Sequence, residues 1–314
     1  MALFIVIVAY IFTGRSNIGP TESANMSTNS TATVYYYRHA GRMAPQVSPP
    51  LSGAALSIGG GFEARSFRAM ELEVSMDPLV MVDHYVMTEP TFGVHPHAGL
   101  SAVSLLFEDS RGRFHNRDTL GNDFDLQPGD LYWLKAGSGA LHDEAPRPGS
   151  RIHGLQVFVN LPQRQRYDTP TSLLVRGSEM PVISSESHRV RVALGRSNDV
   201  LGFRAPDSSM TILDGYVMGH GGFEHLLEPQ RSAWVHGIEG ELSVSVDGQW
   251  HTIAQGEAIN ISNPSPGRPV HIRLVSRENT TSHFALFDAE PIGEPFVQRG
   301  PFVMDSNEKI DEAQ

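Results

Sequence analysis

The sequence predicts an all-β fold in which two barrels or sandwiches follow one another. Three observations carry this. No segment holds a 3.6-residue apolar period for more than about ten residues, so no long amphipathic helix is expected. The chain has 30 Gly and 21 Pro, which punctuate it with turns. A pattern also recurs: Gly129-Asp130 follows a turn and opens an apolar strand, and Gly256-Glu257 does the same in the second half. A chain of 314 residues leaves room for two domains of about 150 residues each.

Taken in order, residues 3–12 are an apolar run too short to span a membrane, which takes roughly twenty residues. The run has the length of a signal-peptide core but lacks a basic start, and Met26 offers a second starting point. The expectation is a cytoplasmic protein with no membrane association; export through the apolar start is the alternative. Residues 1–51, rich in Ser, Thr, Asn, Gly and Pro, are expected to form a disordered arm. The first barrel is placed at 52–170 and the second at 171–290. In the first, residues 102–107 read as a strand that is apolar throughout, and residues 152–161 alternate, with His153, Leu155, Val157, Val159 and Leu161 on one face. In the second, Leu242, Val244 and Val246 alternate with polar residues and run into Asp247-Gly248, a strong hairpin signal. Within 291–314, Phe296, Val297, Phe302, Val303 and Met304 have no local strand partner, so this segment is expected to pack back on the first barrel.

Composition excludes several chemistries. There is no Cys, hence no disulfide, thiolate metal site, iron–sulfur cluster or cysteine nucleophile. The formal net charge is −11 and no basic cluster is present, which argues against direct nucleic-acid binding.

The chemistry lies in the histidines. His95 and His97, at i and i+2 of a strand, present two imidazoles to one face. With 14 His in the chain such a triplet arises by chance about as often as not. A second i, i+2 pair, His142 and Glu144, adds a third imidazole and a carboxylate. Three imidazoles and one carboxylate suit a borderline divalent ion, and Fe(II), Mn, Ni, Cu and Co are all compatible with that donor set.

These residues carry a resemblance. His95-Pro96-His97, Gly129-Asp130, Trp133, Ala136-Gly137-Ser138-Gly139, His142, Glu144 and His153-Gly154-Leu155-Gln156 resemble the pirin family of bicupins, as do residues 297–304. The match spans roughly residues 62–310. The resemblance implies two tandem cupin (jelly-roll) barrels. It implies one metal, Fe(II) first among the candidates, in the N-terminal barrel, with His95, His97, His142 and Glu144 as ligands. Glu144 would also serve as the catalytic base. Asp83, His84 and His153 lie in family-like segments and are candidates for orienting the ligand imidazoles. Aligning Glu239 with Glu108 puts Leu226 and Glu228 where His95 and His97 would fall, so the second barrel should be metal-free; His220, His225 and His236 read as structural or exposed. One departure is Ser101, where many relatives carry Glu. Functionally the resemblance implies either a quercetin-type dioxygenase, taking a small aromatic substrate and dioxygen, or a non-enzymatic metal-dependent regulator with a protein partner. A monomer is expected in either case.

Overall fold

The computed structural model describes residues 34–35, 44–69, 74–219 and 221–314; the apolar run 3–12, Met26 and His220 lie outside the described residues. The chain forms two β-barrels, each closed by a large and a small antiparallel sheet. In the first, the large sheet runs in the order Thr171–Val175, Leu131–Lys135, Leu100–Leu106, Ile152–Asn160, Leu79–Met87, Phe62–Arg68 and Ala54–Ile58. Its small sheet runs Asp123–Leu126, Phe114–Asp118, Ala140–Pro146, His95–His97. The second barrel repeats the plan. Its large sheet centres on Thr211–Met218, Thr281–Ala289, Ser232–Glu239 and Glu257–Ser262, and its small sheet runs Phe223–Leu227, Val270–Ser276, Leu242–Val246, Gln249–Ile253.

The two large sheets pack face to face. Val103, Trp133, Leu155 and Val157 from the first meet Ile212, Trp234 and Phe287 from the second in one buried core. This explains why Leu100–Leu106 is apolar at nearly every position. One face of the strand lines its own barrel and the other meets the neighbour, so every residue is buried. Asp247 and Gly248 close the Leu242–Val246 and Gln249–Ile253 hairpin with φ of 48° and 88°, the paired positive values that a type I′ turn requires.

Two boundaries read from composition are corrected. Residues within 1–51 are not simply a disordered arm: Gln46–Val47 and Leu51–Ser52 pair with Glu257–Ser262 at the edge of the second barrel, and Val34–Tyr35 pairs with Phe296–Arg299. Backbone pairing with a distant strand leaves no local hydrophobic signature, so composition alone missed it. Thr171–Val175, assigned to the second barrel, pairs with Leu131–Lys135 of the first; the second begins with Val182–Ser184.

The C-terminal segment packs on the first barrel. Phe296 and Val303 join Val80, Leu100 and Ala102, while Val297, Phe302 and Met304 cluster with Ala98 and with Ile310 of the helix Asn307–Ala313. The docking is close enough to demand a glycine. Gly99 has φ +73°, and a Cβ there would lie 1.7 Å from the Val303 carbonyl oxygen. Gly99 thus holds the C-terminal hairpin against the strand that bears His97.

Candidate metal centre

The strand His95–His97 sits at the edge of the small sheet and pairs with Ala140–Pro146, with His142 directly opposite His95 in register. Side chains two apart on a strand share a face, so both doublets point into the first barrel. His97 Nε2 and His142 Nε2 are 3.0 Å apart, as are His142 Nε2 and His95 Nε2. Among the described residues these three imidazoles are the group of potential ligands whose donor atoms all lie within 4.8 Å of one another.

The donor set fits a metal ion. Neighbouring nitrogens about 2.1 Å from a common ion and at right angles are about 3.0 Å apart, the separation seen here. His95 Nδ1–H donates to the Gly93 carbonyl at 2.8 Å, which fixes the tautomer and leaves Nε2 as a free lone pair. Burial pushes His95 down and His97 and His142 well below the ordinary imidazole value, so all three are neutral donors.

Glu144 lines the same cavity but is not one of that tight group. Both carboxylate oxygens lie 2.8 Å from the Ser104 hydroxyl. Burial pushes its pKa up to about 7, against the lowering effect of the Ser104 hydrogen bond. Ser104 has one proton and gives it to Glu144. Gln156, 3.0 Å away, is therefore best placed with its amide turned to donate to the Ser104 oxygen, so that Gln156, Ser104 and Glu144 form one chain.

The three residues proposed to orient the ligands separate. Asp83 faces the cavity. His84 and His153 do not: they lie on the opposite face of the large sheet, in the layer between the barrels. Adjacent residues of a strand point to opposite sides, so Asp83 and His84 cannot both support the same site. His236 Nδ1–H donates to the Glu257 carbonyl at 2.9 Å, His236 Nε2 is 2.9 Å from His84 Nδ1, His84 Nε2 is 2.8 Å from His153 Nε2, and His153 Nδ1 is 2.8 Å from Asp109. Both ends of this chain are acceptors. Burial, with the neighbouring imidazoles, pushes His84 down to about 2 and His236 down to about 3, so both are neutral links in this chain. His225 is buried elsewhere, between Ser197 and Asp288. Ser101, the departure from the family pattern, points away from the metal cavity and hydrogen-bonds Asp207, so its identity leaves the imidazole cluster untouched.

Several cavity residues were not singled out from sequence. Tyr85 and Gln156 come from the large sheet, as does Ser104 behind Glu144, and Gln298, Gly300 and Pro301 come from the C-terminal hairpin. A period-two reading of residues 79–87 could have put Tyr85 beside Asp83; nothing local could have placed the hairpin. Among the described residues no helix is long and apolar enough to cross a membrane.

Comparison with known proteins fits this geometry. The family model described as Pirin matches residues 56–159, and that of the Pirin C-terminal cupin domain matches residues 213–314. Pirin of Rattus norvegicus and pirin of Homo sapiens are each 30% identical over 261 residues, covering 79% of this chain and 83% of theirs. Among solved structures, quercetin 2,3-dioxygenase of Acinetobacter baumannii superposes with a TM-score of 0.73 at 23% identity, covering 85% of this chain and 93% of its own. The bacterial pirin YhhW of Escherichia coli, solved in complex with nickel(II), gives 0.56 at 16% identity, covering 79% and 100%. The two structural likenesses establish the all-β bicupin fold, and with the family models and the sequence relatives they make this chain a member of the pirin family.

Proposed function

We propose that the protein is a metal-dependent dioxygenase that opens a hydroxylated aromatic ring, carried by a flavonol or by a smaller arene, with Fe(II) held by His95, His97 and His142. One observation carries this reading: three neutral imidazoles, with His142 Nε2 3.0 Å from each of the other two, converge in the same largely apolar cavity as the buried Glu144 carboxylate. A divalent ion held by three imidazoles would acidify a bound substrate hydroxyl and leave coordination sites open for oxygen chemistry.

The protein's own part follows from its geometry. The largely apolar cavity walls lower the dielectric around a bound substrate, which strengthens polar contacts made inside. Glu144, on the wall of the same cavity, takes the proton of the substrate hydroxyl. Ser104 holds the carboxylate in place and is itself steadied by Gln156. As the fourth ligand, Glu144 would have to turn from Ser104 toward the imidazoles. Both atoms of dioxygen end in the ring-opened products, so no further reductant is needed.

The test is anaerobic reconstitution with Fe(II) followed by oxygen uptake with quercetin as the probe. Uptake stoichiometric with substrate loss is expected, and Glu144→Gln should lower the rate by about 10²–10⁴-fold. A metal-replete protein that consumes no oxygen would favour a regulatory, protein-binding role. Full activity in Glu144→Gln would keep the oxygenase and remove the base.

A further inference from the structure

The large sheet carries a polar rung across the floor of the metal cavity. Asp83 is directly opposite Gln156 in register, Gln156 is opposite Ser104, and Ser66 flanks Asp83 on the other side. Tyr85 lies two residues along from Asp83, on the same face, with its ring stacked on Phe62. The Ser104 end of the rung is occupied by Glu144. The rest is only partly occupied: burial raises the Asp83 carboxyl, and the Arg68 guanidinium and Ser66 act against it. Asp83 is 7% exposed and Tyr85 3%, yet Asp83 Oδ1, the Tyr85 hydroxyl and one Gln156 amide atom have no hydrogen-bond partner in the protein. Buried polar groups are nearly always paired, so each unpaired one marks a place where something else binds. Here all three line one cavity.

The remaining walls are mostly apolar, with Leu56, Ile58, Phe62, Phe92, Phe114 and Phe158, and also carry Arg68 and Gln298. The cavity volume is about 140 Å³. A cavity of about 150 Å³ holds one benzene-sized ring, whereas larger organic ligands occupy roughly 300–1,000 Å³.

We infer that Asp83, Tyr85 and Gln156 form a hydroxyl-binding subsite, and that the group entering the cavity is a single hydroxylated aromatic ring. One hydroxyl faces the imidazoles and Glu144 on the small sheet. A second faces Asp83 and Gln156 on the large sheet, with Tyr85 between them. A three-ring flavonol would exceed the cavity volume and leave two rings outside. The preferred ligand is therefore a one-ring dihydroxyarene. This rests on the oxygenase reading for the fate of the ligand, but not for its binding.

The test is anaerobic equilibrium titration of the Fe(II)-loaded protein with catechol, phenol and quercetin, with metal content and thermal stability checked for each variant. Catechol is expected to bind at least tenfold tighter than phenol and tighter than quercetin. Asp83→Asn and Tyr85→Phe, both close in shape to the native residues, should each weaken catechol by about tenfold, weaken phenol less, and leave metal content unchanged. Quercetin binding more tightly than catechol, or catechol affinity unaltered in both folded variants, would overturn the inference. Oxygen uptake measured on the same samples separates the two ideas. Catechol bound through Asp83 without oxygen consumption keeps the subsite and removes the oxygenase. Oxygen consumption with quercetin but no catechol binding does the reverse.

Discussion

The two barrels share one strand plan and differ in what fills them. Phe223–Leu227 holds the edge position in the second small sheet that His95–His97 holds in the first, and Val270–Ser276 corresponds to Ala140–Pro146. In the first barrel these strands present His95, His97, His142 and Glu144 to a cavity. In the second they present Phe223, Leu227, Val270, Ile272 and Leu274 to a packed core. The second interior gains transfer and packing energy from nearly every inward side chain, and its inward His225 is hydrogen-bonded by Ser197 and Asp288. The first leaves polar groups buried and unpaired, each costing about 1–3 kcal/mol until something binds. One fold has been used once for stability and once for a site.

Substitutions can break that contrast. The largest effect is expected at His97. His97→Leu should lower bound metal by about 100-fold or more, since it removes an entire ligand where even a supporting residue is worth 10–100-fold. The metal-free variant should be as stable as the metal-free native protein or more so, because an apolar side chain suits the buried position. Metal analysis and denaturant unfolding check both halves, and a large stability loss would show that the imidazole is structural.

At the equivalent level of the second barrel the pattern should invert. Ile272→Ala removes fully buried aliphatic volume. It should cost about 2–5 kcal/mol of stability and leave metal content unchanged.

Between these lies the layer joining the barrels. Arg191 and His283 both hydrogen-bond the buried Asp214, and Arg191 also reaches the Gly129 carbonyl of the first barrel. Burial alone would raise Asp214, but Arg191 and His283 outweigh it and hold the carboxyl below the ordinary carboxylate range. A depressed carboxyl stabilises the fold above its unfolded value, and that stability is lost as pH falls through the folded value. Asp214→Asn should therefore cost about 3–5 kcal/mol at neutral pH, by leaving buried positive charge unpaired. The gap to the native protein should narrow below about pH 4. Unfolding followed from pH 3 to 8 would reveal it, and a pH-independent gap would contradict the charge argument.

The smallest effect on metal is expected at His84. His84→Gln should leave metal content within error, because the side chain hydrogen-bonds His153 and His236 on the far face of the sheet. A loss of metal like that of His97→Leu would restore His84 to the site.

The same contrast shows what a sequence can carry. The ligand doublets were legible because a strand repeats every two residues, so His95 with His97, and His142 with Glu144, declare a shared face without further information. The face chosen by Asp83 or His84 was not legible. Residues 79–87 are nearly all buried, so the apolar/polar alternation that would reveal the inward side is absent. The C-terminal hairpin beside the cavity, and the N-terminal strands on the second barrel, depend on pairings more than 190 residues apart, which no local pattern encodes.

The central claim is that one divalent ion binds the three imidazoles of the first barrel. Anomalous diffraction from crystals of the metal-loaded protein, recorded at the absorption edge of the added metal, tests it most directly. The account predicts one peak per chain, within coordination distance of Nε2 of His95, His97 and His142. A peak at the His84, His153 and His236 chain, or none inside the first barrel, would contradict it.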